Sequence, residues 1–168
     1  HGGATVAINM GLRYPERTDK LILSGAGREE NLTEEQIQKL IDQPMTRDLP
    51  VDIDGAFLIK TWSVYRKMSA SKTTPEMTFR PFLTSLINRQ RKYDMHYAIF
   101  RYQPNMDDLS KETLLFEGEE DIYAGDVAGL QKRIKGSTIV KLPGVGSWQF
   151  YEDPGLHDRV ITEFLLDD

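Results

Sequence analysis

The chain contains no cysteine. That excludes disulfides, thiolate metal sites and a cysteine nucleophile, and it is compatible with a reducing, cytoplasmic location. No apolar run approaches the roughly 18 residues of a membrane span, so no membrane partner is expected. Histidine is scarce, with three in 168 residues, and no cluster of histidines and carboxylates has metal-ligand spacing. A dinucleotide fingerprint and a phosphate-binding loop are also missing. Neither a metal nor a cofactor is expected. Positive charge is short as well: 21 Lys and Arg face 26 Asp and Glu, for a formal charge of −5. A nucleic-acid partner usually requires a basic face, and the short cluster Arg89, Arg91, Lys92 reads better as a solvated helix face than as a phosphate site. The opening His1-Gly2-Gly3-Ala4 lacks an initiator Met and the charged and apolar regions of a signal peptide, and reads as an excision point.

What is present is the composition of a single globular domain, with 39% apolar and 28% charged residues. It divides into three parts. In residues 1–27, Ala4, Ala7, Ile8, Gly11 and Leu12 share one helical face. Pro15 closes that helix and biases Tyr14 away from helical geometry. Leu21-Ile22-Leu23 then reads as a strand buried on both faces, ending at Gly25-Ala26-Gly27.

Residues 28–108 read as wholly helical. Thr33 and Gln36 fit a capping box ahead of Ile37, Leu40 and Ile41. Further helices are expected from Gly55 to about Ser71 and from about Pro75 to Tyr102, the last broken near Pro81. Aromatic residues crowd this part: Phe57, Trp62, Tyr65, Phe79, Phe82, Tyr93, Tyr97, Phe100 and Tyr102. A helical insertion between two strands often covers a pocket, so these rings serve a core and a ligand wall about equally well.

Residues 109–168 return to alternation. Thr113–Phe116 is a strand ending at Gly118, Tyr123–Ile134 an amphipathic helix stopped by Gly136, and Thr138–Leu142 a strand. A loop over 143–154 leads to a last helix, His157–Leu166. Strands alternating with helices predict an α/β fold with a parallel sheet.

Three patterns in this order resemble the α/β-hydrolase family, from just after its nucleophile elbow to its C-terminus. His1-Gly2-Gly3-Ala4 running into Tyr14-Pro15-Glu16-Arg17 and Lys20-Leu21-Ile22-Leu23 resembles the elbow, its helix and the following strand. The resemblance implies that the nucleophile directly precedes His1, and that the His1 backbone N–H is one oxyanion-hole donor. Leu114–Asp121 resembles the strand and turn that present the triad acid, which implies Asp121. Gly146, Trp148, Glu152 and Pro154 match the family's G-H-W-x-x-x-E-x-P, but Ser147 stands at the histidine. A hydroxyl has no basicity near neutral pH and cannot shuttle the proton.

None of the three histidines is assigned as a substitute base. His157 is expected on the surface or in packing. His96 lies in the insertion and could face the pocket. The His1 ring is expected to point away from the triad. His1 fits a serine nucleophile better than an aspartate, and the helical insertion is similar to that of capped carbon–carbon hydrolases, esterases and lactonases. The resemblance implies a parent protein that hydrolyses ester, lactone, amide or activated C–C bonds in a small molecule. Loss of the base favours an inactive chain, or a non-catalytic binder of a small ligand or a partner. With three strands, the isolated chain is expected to leave a sheet edge and the face of helix 2–14 uncovered, and to be poorly soluble or molten. The sequence sets neither the substrate nor the oligomeric state.

Overall fold

The computed structural model of the protein describes residues 1–27, 31–43 and 49–166, without the side chains of 90–93. Of the basic cluster, Arg91 and Lys92 therefore lie outside the described side chains, as does Tyr93. Three parallel strands form one sheet in the order β1 (Lys20–Ser24), β2 (Glu112–Gly118) and β3 (Ser137–Leu142). Leu23 pairs with Leu115, and Leu115 with Ile139.

The central strand β2 is buried from Thr113 to Gly118, as expected of a strand covered on both faces. Strand β1 behaves differently. Leu21 and Leu23 are buried but Ile22 is only half-buried, which corrects the expectation of a strand buried on both faces. Among the described residues β1 has one neighbour and forms the sheet's edge.

Helix α1 (Gly2–Arg13) packs Ala4 and Ile8 against Leu21, Leu23 and Leu115 on one face of the sheet. Gly11 lets the helix approach: a Cβ there would lie 2.8 Å from Leu21 and 2.9 Å from Leu109. Val6 and Met10 on α1, and Tyr14 just after it, stay exposed. The other face of the sheet carries Leu114, Phe116 and Leu142 under Val160, Ile161 and Phe164 of the last helix, α8 (Pro154–Leu166).

Among the described residues, four α-helices lie between β1 and β2: α2 (Glu34–Ile41), α3 (Ala56–Arg66), α4 (Pro75–Ile87) and α5 (Arg89–Arg101). The capping box forms as read: Gln36 donates its N–H to the Thr33 hydroxyl, and Thr33 donates its own to the Gln36 side chain at 2.8 Å. The long helix predicted to break near Pro81 runs through it and breaks at Asn88 instead. A proline removes one helical hydrogen bond but does not have to end the helix. The Asn88 amide donates to the Thr84 carbonyl oxygen at 3.0 Å and closes α4.

Beyond β2, α6 (Asp126–Arg133) is shorter at both ends than read, because Gly125 at φ +95° starts it and Ile134 is already extended. The stretch predicted as a loop after Leu142 contains a short helix α7 (Gln149–Glu152), and α8 (Pro154–Leu166) begins at its proline. Proline at the first helical turn loses no hydrogen bond there.

Candidate active site

The C-terminal end of β2 turns sharply at Gly118. A Cβ at Gly118 would lie 2.6 Å from the Val145 carbonyl oxygen and 2.8 Å from that of Gly146. Only glycine allows the two segments this close. Two main-chain bonds fasten them, Glu119 N–H to Leu142 O at 3.2 Å and Glu120 N–H to Val145 O at 3.0 Å. Below the turn, buried Glu117 accepts the Gly125 N–H at 2.6 Å, which holds the start of α6 in place. Asp121 is thus set rigidly at the strand end. It is 7% exposed, and its Oδ1 accepts the Tyr123 N–H at 2.8 Å.

The other partner of Asp121 is His1. The His1 Nε2 lies 2.9 Å from Oδ2 and 3.2 Å from Oδ1. The expectation that this ring points away is therefore overturned. The reason is Gly25, at φ +59°, just past the end of β1. A Cβ there would fall 2.1 Å from His1 Cδ2 and 2.5 Å from Nε2, so the missing side chain leaves the slot in which the ring lies. Tyr123 meets the ring edge-on, with centroids 5.0 Å apart. The main-chain nitrogen of His1 lies 2.7 Å from the Ser24 carbonyl oxygen.

The Ser147 side chain does not join this group by any hydrogen bond. Its Oγ is buried without a partner among the described residues, as are Trp148 Nε1 and Gln149 Nε2. Its loop is fixed from both sides. Buried Glu152 accepts the Gly146 N–H at 2.7 Å, and the Thr73 hydroxyl donates to the same carboxylate. Gln149 accepts from the Ser24 hydroxyl at 2.6 Å. The sequence alignment of Gly146, Trp148 and Glu152 gave no hint that Glu152 bridges to the helices between β1 and β2.

That bridge is one of several in the segment joining α3 to α4. Ser71 donates its N–H and hydroxyl to Glu120 at 2.8 and 2.6 Å, which holds that carboxyl below its ordinary range. Lys72 pairs with Asp153 at 2.6 Å and lowers that carboxyl likewise. The Ala70 Cβ would sit 2.7 Å from a Cβ at Gly146. The segment therefore crosses both the Asp121 turn and the Ser147 loop.

Between this platform and helices α3, α4 and α5 opens a cleft of about 670 Å³. Its floor includes His1, Gly25, Tyr123 and Trp148, and its roof Tyr65, Arg80 and His96. Tyr65 stacks on Trp148 at 5.9 Å, and Phe82 packs edge-on against Trp62 at 5.3 Å, so the aromatic residues supply both wall and core. His96 does reach the cleft. His157 does not: it is 1% exposed, stacked on Phe116 at 4.5 Å, and serves packing. Among the described residues no group of His, Asp and Glu is arranged to hold a metal, and no helix is long and apolar enough to cross a membrane.

No protein-family model matches the sequence, and no curated protein matches it. Solved structures do match its fold. A meta-cleavage product hydrolase from Pseudomonas fluorescens is 20% identical, with a TM-score of 0.69 over 98% of this chain and 61% of its own. An enol-lactonase from Burkholderia xenovorans is 14% identical, with a TM-score of 0.68 over 98% of this chain and 63% of its own. An esterase from Thermogutta terrifontis is 19% identical, with a TM-score of 0.72 over 97% of this chain and 61% of its own. The chain thus spans less than two thirds of the structures it matches. At these identities the likeness shows the fold, and that fold is the α/β-hydrolase fold with helices inserted between two strands.

Proposed function

We propose that the whole protein hydrolyses an ester, lactone, amide or activated C–C bond in a small molecule. The observation that carries the reading is Asp121: a buried carboxylate fixed at the end of β2, bonded to an imidazole that borders a cleft of about 670 Å³. A carboxylate so placed orients an imidazole and stabilises its protonated form. The residue preceding His1 would supply the nucleophile, and helices α3 to α5 would act as a cap that excludes water from the cleft. The mostly apolar and aromatic lining suits a small organic acyl group better than a sugar or a nucleotide.

The test is hydrolysis of p-nitrophenyl butyrate and of a γ-lactone by the whole protein and its Asp121→Asn variant. The expected outcome is turnover by the first and a loss of about 10⁴-fold in kcat in the second, the cost of the same change in a model triad. Absence of turnover by the whole protein overturns the reading, and unaltered turnover by Asp121→Asn removes Asp121 from it.

Ser147 favours one second reading, a non-catalytic protein that binds a small apolar ligand or a partner at the cleft. Its hydroxyl occupies the position where the family's base is expected, and it is buried without a partner. Saturable binding of butyrate or a lactone with no product, by the whole protein, supports that alternative. Hydrolysis lost on replacing Asp121 excludes it.

A further inference from the structure

Ser147 leaves the hydrolytic reading without a base, and the geometry around Asp121 supplies one. We infer that His1 is the proton-transfer residue of the site, with Asp121 as its positioning residue. The inference rests on the hydrolase reading.

Three observations converge on the His1 ring. Its Nε2 is within 2.9 Å of the Asp121 carboxylate, so Nε2 is the nitrogen that carries the hydrogen, and in the neutral imidazole Nδ1 bears the lone pair. The edge with Cδ2 and Nε2 lies over Gly25, with those atoms 2.1 and 2.5 Å from a Cβ built there. The opposite edge, with Nδ1, therefore faces away from the sheet. Nδ1 has no hydrogen-bond partner among the described residues and is not among their buried unpartnered atoms, while the ring borders the cleft. The His1 side chain is 27% exposed and that of Asp121 only 3%. A base that is open to the cleft, held by an acid that is not, is the arrangement general-base catalysis needs.

The proton path closes with water as the second reactant. Nδ1 takes a proton from water, and the water oxygen forms a bond to the carbonyl carbon of an ester or lactone. The tetrahedral adduct collapses, the C–O bond breaks, and its electron pair stays on the leaving oxygen. Nδ1–H returns the proton to that oxygen. The products are an acid and an alcohol, and the imidazole is regenerated. The same proton path serves the water step of a route through an acyl-enzyme. Throughout, Asp121 holds Nε2–H and balances the charge of the transient imidazolium, as the acid of a triad does through the other nitrogen.

The test uses the whole protein with p-nitrophenyl butyrate. His1→Gly empties the slot over Gly25 and is expected to lower kcat by about 100-fold or more, with KM changed less than about threefold. Imidazole added at tens of millimolar is expected to restore His1→Gly by at least tenfold and to leave Asp121→Asn unrestored, since the free base then has no anchor. His1→Gln, which keeps the side chain's bulk, is expected to stay as slow as His1→Gly, with both variants melting as folded proteins. Turnover by His1→Gly within threefold of the parent overturns the inference and leaves the hydrolase reading standing. Loss of turnover without imidazole rescue also overturns it, because it gives His1 a structural role. No turnover by the unaltered protein overturns the inference together with the reading it rests on.

Discussion

The sheet with α1, α6 and α8 and the helices between β1 and β2 are built on different terms. In the first region burial is deep: Leu23, Leu115, Phe116, Leu130, Ile134 and Leu142 are fully inaccessible. In the second, α3 has no buried residue, and α4 buries only Thr78 and Phe82. Ile59 on α3 is 72% exposed and Ile87 at the end of α4 81%. The first region is held by its interior. In the second, α2 and α5 share a small core of Ile37, Ile41 and Phe100, while α3 and α4 are held by caps, by aromatic edges and by the polar junction over residues 70–73. A cleft needs this division, since its roof cannot be packed onto its floor without closing it.

The largest effect that sharpens the contrast is expected in the core. Leu115→Ala removes a side chain buried between α1 and α6, and about 2–5 kcal/mol of stability should go with it. Ile59→Ala on α3 should change stability by no more than about 0.5 kcal/mol. Urea unfolding of the two variants measures both. Equal losses would mean that α3 is packed as deeply as the sheet, against the exposure of its side chains.

Next comes the junction. Glu152→Ala leaves the Gly146 N–H without its acceptor and frees Thr73, and should cost about 1–3 kcal/mol. Lys72→Ala breaks a partly exposed pair with Asp153 and should cost clearly less than Glu152→Ala. Proteolysis at the 66–74 segment, followed by mass spectrometry, would show whether Glu152→Ala also releases the helices from the floor. If only global stability falls and cleavage there is unchanged, the two regions are joined elsewhere.

A smaller effect belongs to local helix signals. Thr33→Ala removes the N-cap of α2 and should cost about 1 kcal/mol, with Thr33→Asn nearly neutral. Circular dichroism of thermal unfolding would resolve it. A loss as large as that from Leu115→Ala would break the contrast outright.

The contrast also explains what could be read in advance. Burial periodicity and turn residues located all three strands, because a buried strand such as Thr113–Phe116 has little freedom in its residue types. The capping box at Thr33 was legible because its two side chains act on neighbouring backbone. Pro81 misled, because the cost of proline within a helix depends on what the freed carbonyl meets in three dimensions. Asp121 was placed by a motif. Its pairing with His1 was not, since 120 positions separate them and the slot that seats the ring is made by an absent side chain at Gly25. Long-range polar contacts such as Thr73 to Glu152 leave no trace in a local pattern.

The smallest predicted signal separates the two regions by pH. His157 is buried between Phe116 and Phe150, and burial pushes its pKa below the usual 6.5, with Asp158 opposing that shift. A folded state that resists protonation loses stability where the unfolded chain begins to bind the proton. That contribution is intact above pH 6.5 and declines as pH falls through 6.5 toward the lower folded value. At the junction the sign is the same but the window lies lower. Glu120 and Asp153 are held below 4.5 and 3.8 by Ser71 and Lys72, so their contribution is intact above those values and declines as pH falls further. His157→Leu should therefore flatten the stability profile just below pH 6.5 and leave the limb below pH 4.5 alone, whereas Glu120→Gln should do the reverse. Denaturant midpoints at four or five pH values would show it. If both substitutions altered the same limb, core and junction would titrate as one unit, and the division drawn between them would fail.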